Sequence, residues 1–275
     1  MSETRSNPAQ KTLEESADVR VAVREKYGAI ARGQSARCCD VPCGCNGGDA
    51  DQVARTIGYE AAEAAAVPEG ANLGLGCGNP LAHAGLRPGE TVLDLGSGAG
   101  IDCFLAAREV GPSGRVIGVD MTPAMVESAR ANAAQHGYRN VDFRLGEIEH
   151  LPVADASVDL VISNCVINLS PDKPQVFREA FRVLKPGGRM LVSDLVLVRP
   201  LSLELKRNVD LYVGCVAGAA PEDEYLEMMR EASFAPLDVV KRSRYEVGAD
   251  ALAKDSPERA AFGAVVSITV RAGRP

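Results

Sequence analysis

Eight cysteines are the residues best suited to chemistry in this chain of 275 residues. Three of them lie far apart, next to glycine or asparagine: Cys77 in GLGCGN, Cys165 in SNCVIN and Cys215 in VGCVAG. Thiolates are soft ligands and prefer soft metals and metalloids. A buried cysteine commonly just fills space, and we interpret Cys103, in the helical stretch IDCFLAAREV, in this way. The other three together predict a site for a soft element.

Composition and charge restrict the partners. The net charge is -7, with an isoelectric point near 5.2, so the chain repels phosphate backbones and we expect no nucleic acid partner. Neither an apolar leader nor a run of ~18 apolar residues is present, so we expect no membrane. These features favour a cytoplasmic protein, in which cysteines remain mostly as thiols.

The chain divides into three regions that differ in composition and hydrophobic pattern. Residues 1–70 form an N-terminal extension with a cysteine cluster, 71–198 alternate apolar runs with amphipathic stretches, and 199–275 begin helical and end in two strand-like runs. Strands that alternate with helices predict an α/β fold, with a mostly parallel sheet and helices on both faces. The last two strands would complete the sheet, and the helical stretch before them would cap the strand ends.

A glycine-rich turn follows the first predicted strand, in the sequence DLGSGAG that begins at Asp94. Such a turn could simply join a strand to a helix. However, Asp120 ends the second predicted strand, about 20 residues further on, where a carboxylate accepts hydrogen bonds from a ribose diol. The pattern predicts a nucleotide-linked cofactor, but its spacing does not distinguish NAD from S-adenosylmethionine.

Four segments, DLGSGAGID, VIGVDMTPAM, FRLGEIEHLPVADASVDLVISN and EAFRVLKPGGRMLVSD, resemble the class I S-adenosylmethionine-dependent methyltransferases in order and spacing. The resemblance implies a Rossmann-like fold and S-adenosylmethionine as the cofactor. It also implies these cofactor contacts: Asp94, Gly96 and Gly98 at the methionine part, Asp120 at the ribose hydroxyls, Met121 on the adenine, Glu147 and Ile148 at the adenine edge, and Asn164 closing the pocket.

Three further segments, GANLGLGCGNP, SNCVINLSPDK and GCVAGA, are similar to signature segments of arsenite methyltransferases. The resemblance implies that Cys77, Cys165 and Cys215 bind As(III), which is soft and forms three bonds while keeping a lone pair. It also implies that this lone pair attacks the sulfonium methyl, so that no general base is needed. Arsenite or its thiol complexes would be the substrate, and thioredoxin or glutathione the reductant.

The N-terminal cluster RCCDVPCGCNGG contains Cys38, Cys39, Cys43 and Cys45. Its spacing does not match the paired pattern of a zinc knuckle. The resemblance favours a loop that captures arsenic or relays a disulfide, with Cys38 or Cys39 in the redox cycle. An inert segment is the alternative.

Two other functions stay open at this point. One is a methyltransferase for a carbon or oxygen nucleophile, which would need a base near the pocket to remove a proton. The other is a metalloid sensor or buffer without catalytic activity, which would have no use for the cofactor motifs. No histidine pairs with another candidate ligand in the sequence.

Overall fold

The computed structural model describes residues 16–34, 50–245, 247 and 252–275. Within this part of the chain, seven strands form one sheet in the order β3-β2-β1-β4-β5-β7-β6. The strands are β1 (Thr91–Leu95), β2 (Arg115–Asp120), β3 (Val141–Leu145), β4 (Val158–Asn164), β5 (Leu184–Leu197), β6 (Leu237–Arg244) and β7 (Val265–Gly273). All neighbours from β3 to β5 are parallel, and β7 runs antiparallel to both β5 and β6. The predicted fold class, a Rossmann-like methyltransferase fold, is confirmed.

Helices precede, connect and follow these strands. They are α1 (Ser16–Ala31), α2 (Ala50–Ile57), α3 (Ala61–Ala65), α4 (Ile101–Val110), α5 (Pro123–Gln135), α6 (Lys173–Val183), α7 (Leu203–Lys206), α8 (Val209–Val213), α9 (Glu222–Glu231) and α10 (Pro257–Phe262). One cluster of buried residues joins α4 and α5 to the sheet, and another joins α6 and α9 to it. The two clusters lie on opposite faces, because side chains alternate along each strand.

Local sequence explains where the central elements begin and end. In β1, every residue after Thr91 is buried, as expected for a parallel strand covered on both faces. Helix α5 starts after Thr122 with proline at its first turn, although the Thr122 side chain makes no capping hydrogen bond. It ends before Gly137, whose φ of +72° suits glycine. Helix α6 ends at Val183 because Pro186 cannot continue it.

Two regions differ from the sequence analysis. The stretch predicted as one helical cap is divided into α7, α8 and α9, and Cys215 lies in a turn directly after α8. The sequence analysis assigned no elements to the N-terminal extension, yet α1 packs against α5 and α8. No helix in the described ranges is long and apolar enough to span a membrane.

Candidate active site

A pocket opens at the carboxyl ends of β1, β2 and β4, where open α/β sheets bind their ligands. Helix α1 lines it from the N-terminal side, and the turn after α8 lines it from the C-terminal side. The predicted site residues that line this pocket are Asp94, Gly96, Gly98, Asp120, Met121, Ile148, Asn164, Cys165 and Cys215. The loop before Cys77 lines it as well, through Gly74, Leu75 and Gly76.

The glycine-rich turn after β1 is tied to the end of β2 through Asp120. One carboxylate oxygen of Asp120 accepts a hydrogen bond from Gly98 N at 2.9 Å, and the other accepts one from Thr122 N at 2.8 Å. Gly96 has a φ of +68°, and a Cβ there would lie 2.3 Å from the Val166 side chain. The turn therefore needs glycine at this point, and it brings backbone atoms close to the pocket.

Two buried carboxyl groups, those of Asp94 and Asp102, lie at the β1 end of the pocket. Tyr59 donates a hydrogen bond to Asp102 at 2.7 Å, and the Cys103 thiol donates one to Asp94 at 3.3 Å. Burial raises the pKa of Asp102 to about 6, and burial together with Asp102 raises the pKa of Asp94. A cationic ligand would relieve the repulsion between these groups, and S-adenosylmethionine carries both an ammonium and a sulfonium. The buried Ser97 hydroxyl, which lines the same pocket, has no hydrogen-bond partner within the described residues, so it could donate to a bound cofactor.

At the β3 end of the pocket the structure distinguishes two neighbouring glutamates. Glu147 is 38% exposed, forms ion pairs with Arg20 and Arg24 of α1, and is not part of the pocket lining. Glu149 does line the pocket; it accepts hydrogen bonds from Ser170 Oγ at 2.6 Å and Arg20 Nη2 at 3.1 Å. The sequence analysis missed Glu149, because its position in the pocket depends on contact with α1, and the sequence of that helix contains no recognisable motif.

Three separated segments bring the cysteine thiols together. Cys77 Sγ, Cys165 Sγ and a carboxylate oxygen of Asp194 all lie within 4.8 Å of one another. The Cys215 thiol donates a hydrogen bond to the Cys165 carbonyl oxygen at 2.9 Å, so it lies next to Cys165 as well. All three cysteines are buried free thiols. Asp194, on β5 behind the thiols, was not predicted.

Two of these thiols are held on an unusual backbone. Cys165 has a φ of +60° and Cys215 a φ of +65°, in the left-handed region that non-glycine residues rarely adopt. The Cys165 N–H donates to the Ser193 carbonyl at 2.8 Å, which fixes this conformation at the end of β4. Backbone strain of this kind is concentrated at functional sites.

Electrostatics keeps the thiols protonated at neutral pH. Burial raises the pKa of Cys77 to about 11. The hydrogen bond from Cys215 lowers the pKa of Cys165, but its contact with Cys77 and its burial raise that pKa well above its usual value. The hydrogen bond to Cys165 and burial raise the pKa of Cys215. Burial raises the pKa of Asp194 to about 7, although Leu195 N donates to it.

The remaining cysteines are placed differently. Cys103 lies on α4, where its thiol contacts Asp94; it is fully buried and is not part of the pocket lining. Cys38, Cys39, Cys43 and Cys45 lie outside the described residues.

Comparisons with known proteins agree with this arrangement. A family profile described as "Methyltransferase domain" matches residues 86–233. An arsenite methyltransferase of Halobacterium salinarum is 46% identical over 265 residues, which are 94% of this chain and 67% of that protein. The chain belongs to the arsenite methyltransferase family. The family is one of S-adenosylmethionine-dependent enzymes with the class I fold, so S-adenosylmethionine is its cofactor.

Further relatives show how far the likeness extends. The crystal structure of an arsenic(III) S-adenosylmethionine methyltransferase from Chlamydomonas reinhardtii shares 35% identity, with a TM-score of 0.62, over 82% of this chain and 73% of that one. The human arsenite methyltransferase is 42% identical over 158 residues, which are 54% of this chain and 42% of that protein. The chain thus spans two thirds of the Halobacterium relative and less than half of the human one.

Proposed function

We propose that this member of the family transfers methyl groups from S-adenosylmethionine to thiol-bound trivalent arsenic, a reaction that serves arsenic detoxification. The observation that carries the proposal is the convergence of Cys77 and Cys215 on Cys165, which lines the pocket together with Cys215. These cysteines come from three segments distant in sequence. If these cysteines only filled space, two of them, Cys165 and Cys215, would have no need for a left-handed backbone.

The cofactor would be held by residues that already form the pocket. Asp120 would accept hydrogen bonds from the ribose hydroxyls, the backbone of Gly96 and Gly98 would border the methionine part, and Met121 and Ile148 would contact the adenine ring, since all of them line the pocket. When bound, S-adenosylmethionine supplies a methyl group already activated by its sulfonium. The protein therefore has only to align the acceptor and exclude water.

The thiols would bind arsenic without a net change in protons. Arsenous acid, As(OH)₃, exchanges its three hydroxyl groups for three thiolates, and each thiol proton leaves with a hydroxyl as water. The raised pKa values of the thiols are compatible with this exchange, because each proton has an acceptor within the substrate. Three As–S bonds leave one lone pair on arsenic. Since that lone pair carries no proton, no general base is required.

Methylation formally oxidises arsenic from As(III) to As(V), so another methyl transfer requires two electrons. Two of the arsenic-bound thiolates can supply these electrons by forming a disulfide as their two As–S bonds break, and an external thiol then reopens the disulfide. We propose thioredoxin or glutathione as this reductant. Cys38 or Cys39 would then relay the disulfide between the buried thiols and this reductant.

Incubation with methyl-labelled S-adenosylmethionine, arsenite and a thiol reductant tests the activity. We expect labelled methylarsenicals by chromatography, from the wild-type chain and from the Cys103→Ala variant, whose thiol lies outside the site. If the wild-type chain binds both S-adenosylmethionine and arsenite but forms no methylarsenical, the sensor or buffer alternative replaces this proposal. If it methylates only an oxygen or carbon acceptor, the thiol site has another purpose.

A further inference from the structure

The side-chain amide of Asn164 binds the loop that carries Cys77 through both its oxygen and its nitrogen. Asn164 is the last residue of β4, directly before Cys165. Its Oδ1 accepts a hydrogen bond from Cys77 N at 3.1 Å, and its Nδ2 donates to the Gly78 carbonyl at 2.8 Å. One amide therefore binds the backbone on both sides of the Cys77 thiol.

The loop backbone lies directly against this amide. A Cβ on Gly76 would lie 3.0 Å from both the oxygen and the nitrogen of the Asn164 amide, and the φ of Gly76 is +123°. On the other side, Ser267 Oγ of β7 donates to the Cys77 carbonyl at 2.7 Å. Cys77 is thus fixed at its N–H by β4 and at its carbonyl by β7, which directs its thiol toward Cys165.

A second set of contacts determines which way the Asn164 amide points. The Tyr59 hydroxyl donates its only proton to Asp102 at 2.7 Å, so it can only accept from Asn164 Nδ2, at 2.9 Å. Burial raises the pKa of Tyr59, so the hydroxyl keeps its proton. The nitrogen of the amide must therefore face Tyr59, and its oxygen must face the Cys77 N–H.

We propose that Asn164 is a positioning residue that holds the Cys77 thiol over Cys165 for the first arsenic-binding step, with Tyr59 fixing the orientation of its amide. This proposal rests on the proposed function. It assigns Asn164 an effect on arsenic through Cys77, in addition to its place in the pocket wall. Such an effect should appear with arsenite, which needs three thiolates, more than with trivalent methylarsenite, which needs two.

The test compares Asn164→Ala with two other variants, at saturating S-adenosylmethionine. We expect the KM for arsenite to rise about tenfold or more, because two buried backbone groups lose their partner. Activity on methylarsenite should fall by a clearly smaller factor than activity on arsenite, because methylarsenite needs only two thiolates. Tyr59→Phe should show the same pattern in weaker form. Asn140→Ala is the matched control, since its amide also binds two backbone groups, here the carbonyls of Ala107 and Gly111, but lies away from the pocket, and it should behave as wild type.

A second readout does not depend on turnover. Cys77 is 3% exposed and Cys103 fully buried, so both should alkylate slowly with iodoacetamide in the wild-type chain. In Asn164→Ala, we expect Cys77 to be labelled at least about fivefold faster, with Cys103 unchanged, as measured by peptide mass spectrometry. Unchanged labelling of Cys77, or an arsenite KM that does not move, overturns the proposal. A wild-type chain that does not methylate arsenite contradicts the proposed function instead, and leaves the labelling result to decide the role of Asn164.

Discussion

Replacing Asp120 with alanine should weaken binding of S-adenosylmethionine by a predictable amount. The carboxylate lies in the pocket at the end of β2, and each of its oxygens already accepts one backbone hydrogen bond. Carboxylate oxygens have further lone pairs, so both can still accept from a ribose diol. We expect the ribose contacts to depend on this side chain.

The magnitude follows from the charge of the group. A hydrogen bond to a charged group contributes about 1.5–3 kcal/mol, so losing the ribose contact should weaken cofactor affinity by about 10- to 150-fold. Loss of the bond to Gly98 N adds to this effect, because that bond holds the glycine-rich turn against β2. A loss of affinity of about 150-fold would indicate that the glycine-rich turn has moved as well.

Isothermal titration calorimetry with S-adenosylmethionine measures the effect directly. The control is Asp142→Ala on β3, whose carboxylate forms ion pairs with Arg115 and Arg144 outside the pocket. We expect wild-type affinity in the control. Thermal unfolding of each variant verifies that it is folded. If folded Asp120→Ala binds the cofactor as tightly as wild type, the ribose assignment is incorrect.

Two further predictions concern the thiols and the carboxyl group beside them. Cys165→Ser and Cys215→Ser should abolish methylation of both arsenite and methylarsenite while cofactor binding persists. Cys77→Ser should lose activity on arsenite alone, because monomethylated arsenic needs only two thiolates. Chromatography of the products from each substrate measures this, and equal loss in all three variants refutes a second methyl transfer that uses only two thiolates. Burial raises the pKa of Asp194 from its usual 3.8 to about 7, so its proton favours the folded state and this stabilisation is lost as the pH rises between those values. Urea unfolding at both ends of that range should therefore show a smaller loss of stability in Asp194→Asn than in wild type, and an identical loss would contradict the shift.

The sequence was sufficient to predict the sheet and its carboxyl-end pocket. Buried parallel strands need apolar runs, and such runs are visible in β1, β2, β4 and β5, whereas the edge strand β3 carries charged residues and is mostly half-buried. The glycine-rich turn and Asp120 could also be found in the sequence, because a backbone that approaches a ligand closely permits few residue types. Which part of the cofactor or substrate each residue contacts is tested by the variants described above.

The contacts between distant segments could not be predicted. Asp194 lies in an apolar run that reads as an ordinary buried strand, and only the packing of β5 behind the thiols brings it near Cys77. Tyr59 belongs to an extension without a motif, yet it reaches Asp102 across the pocket wall. Hydrogen bonds of this kind depend on tertiary placement, which leaves no periodic signal in the sequence.

The left-handed backbone at Cys165 and Cys215 has a consequence for how this protein can change over evolutionary time. A glycine at either position would relieve strain of about 1–3 kcal/mol, but it would also give the unfolded chain more freedom and empty the buried space that the thiol fills, at a cost of about the same size. Stability alone therefore gives little reason to keep a cysteine on this backbone. A homologous chain that keeps both cysteines on the same backbone thus indicates selection for thiol chemistry.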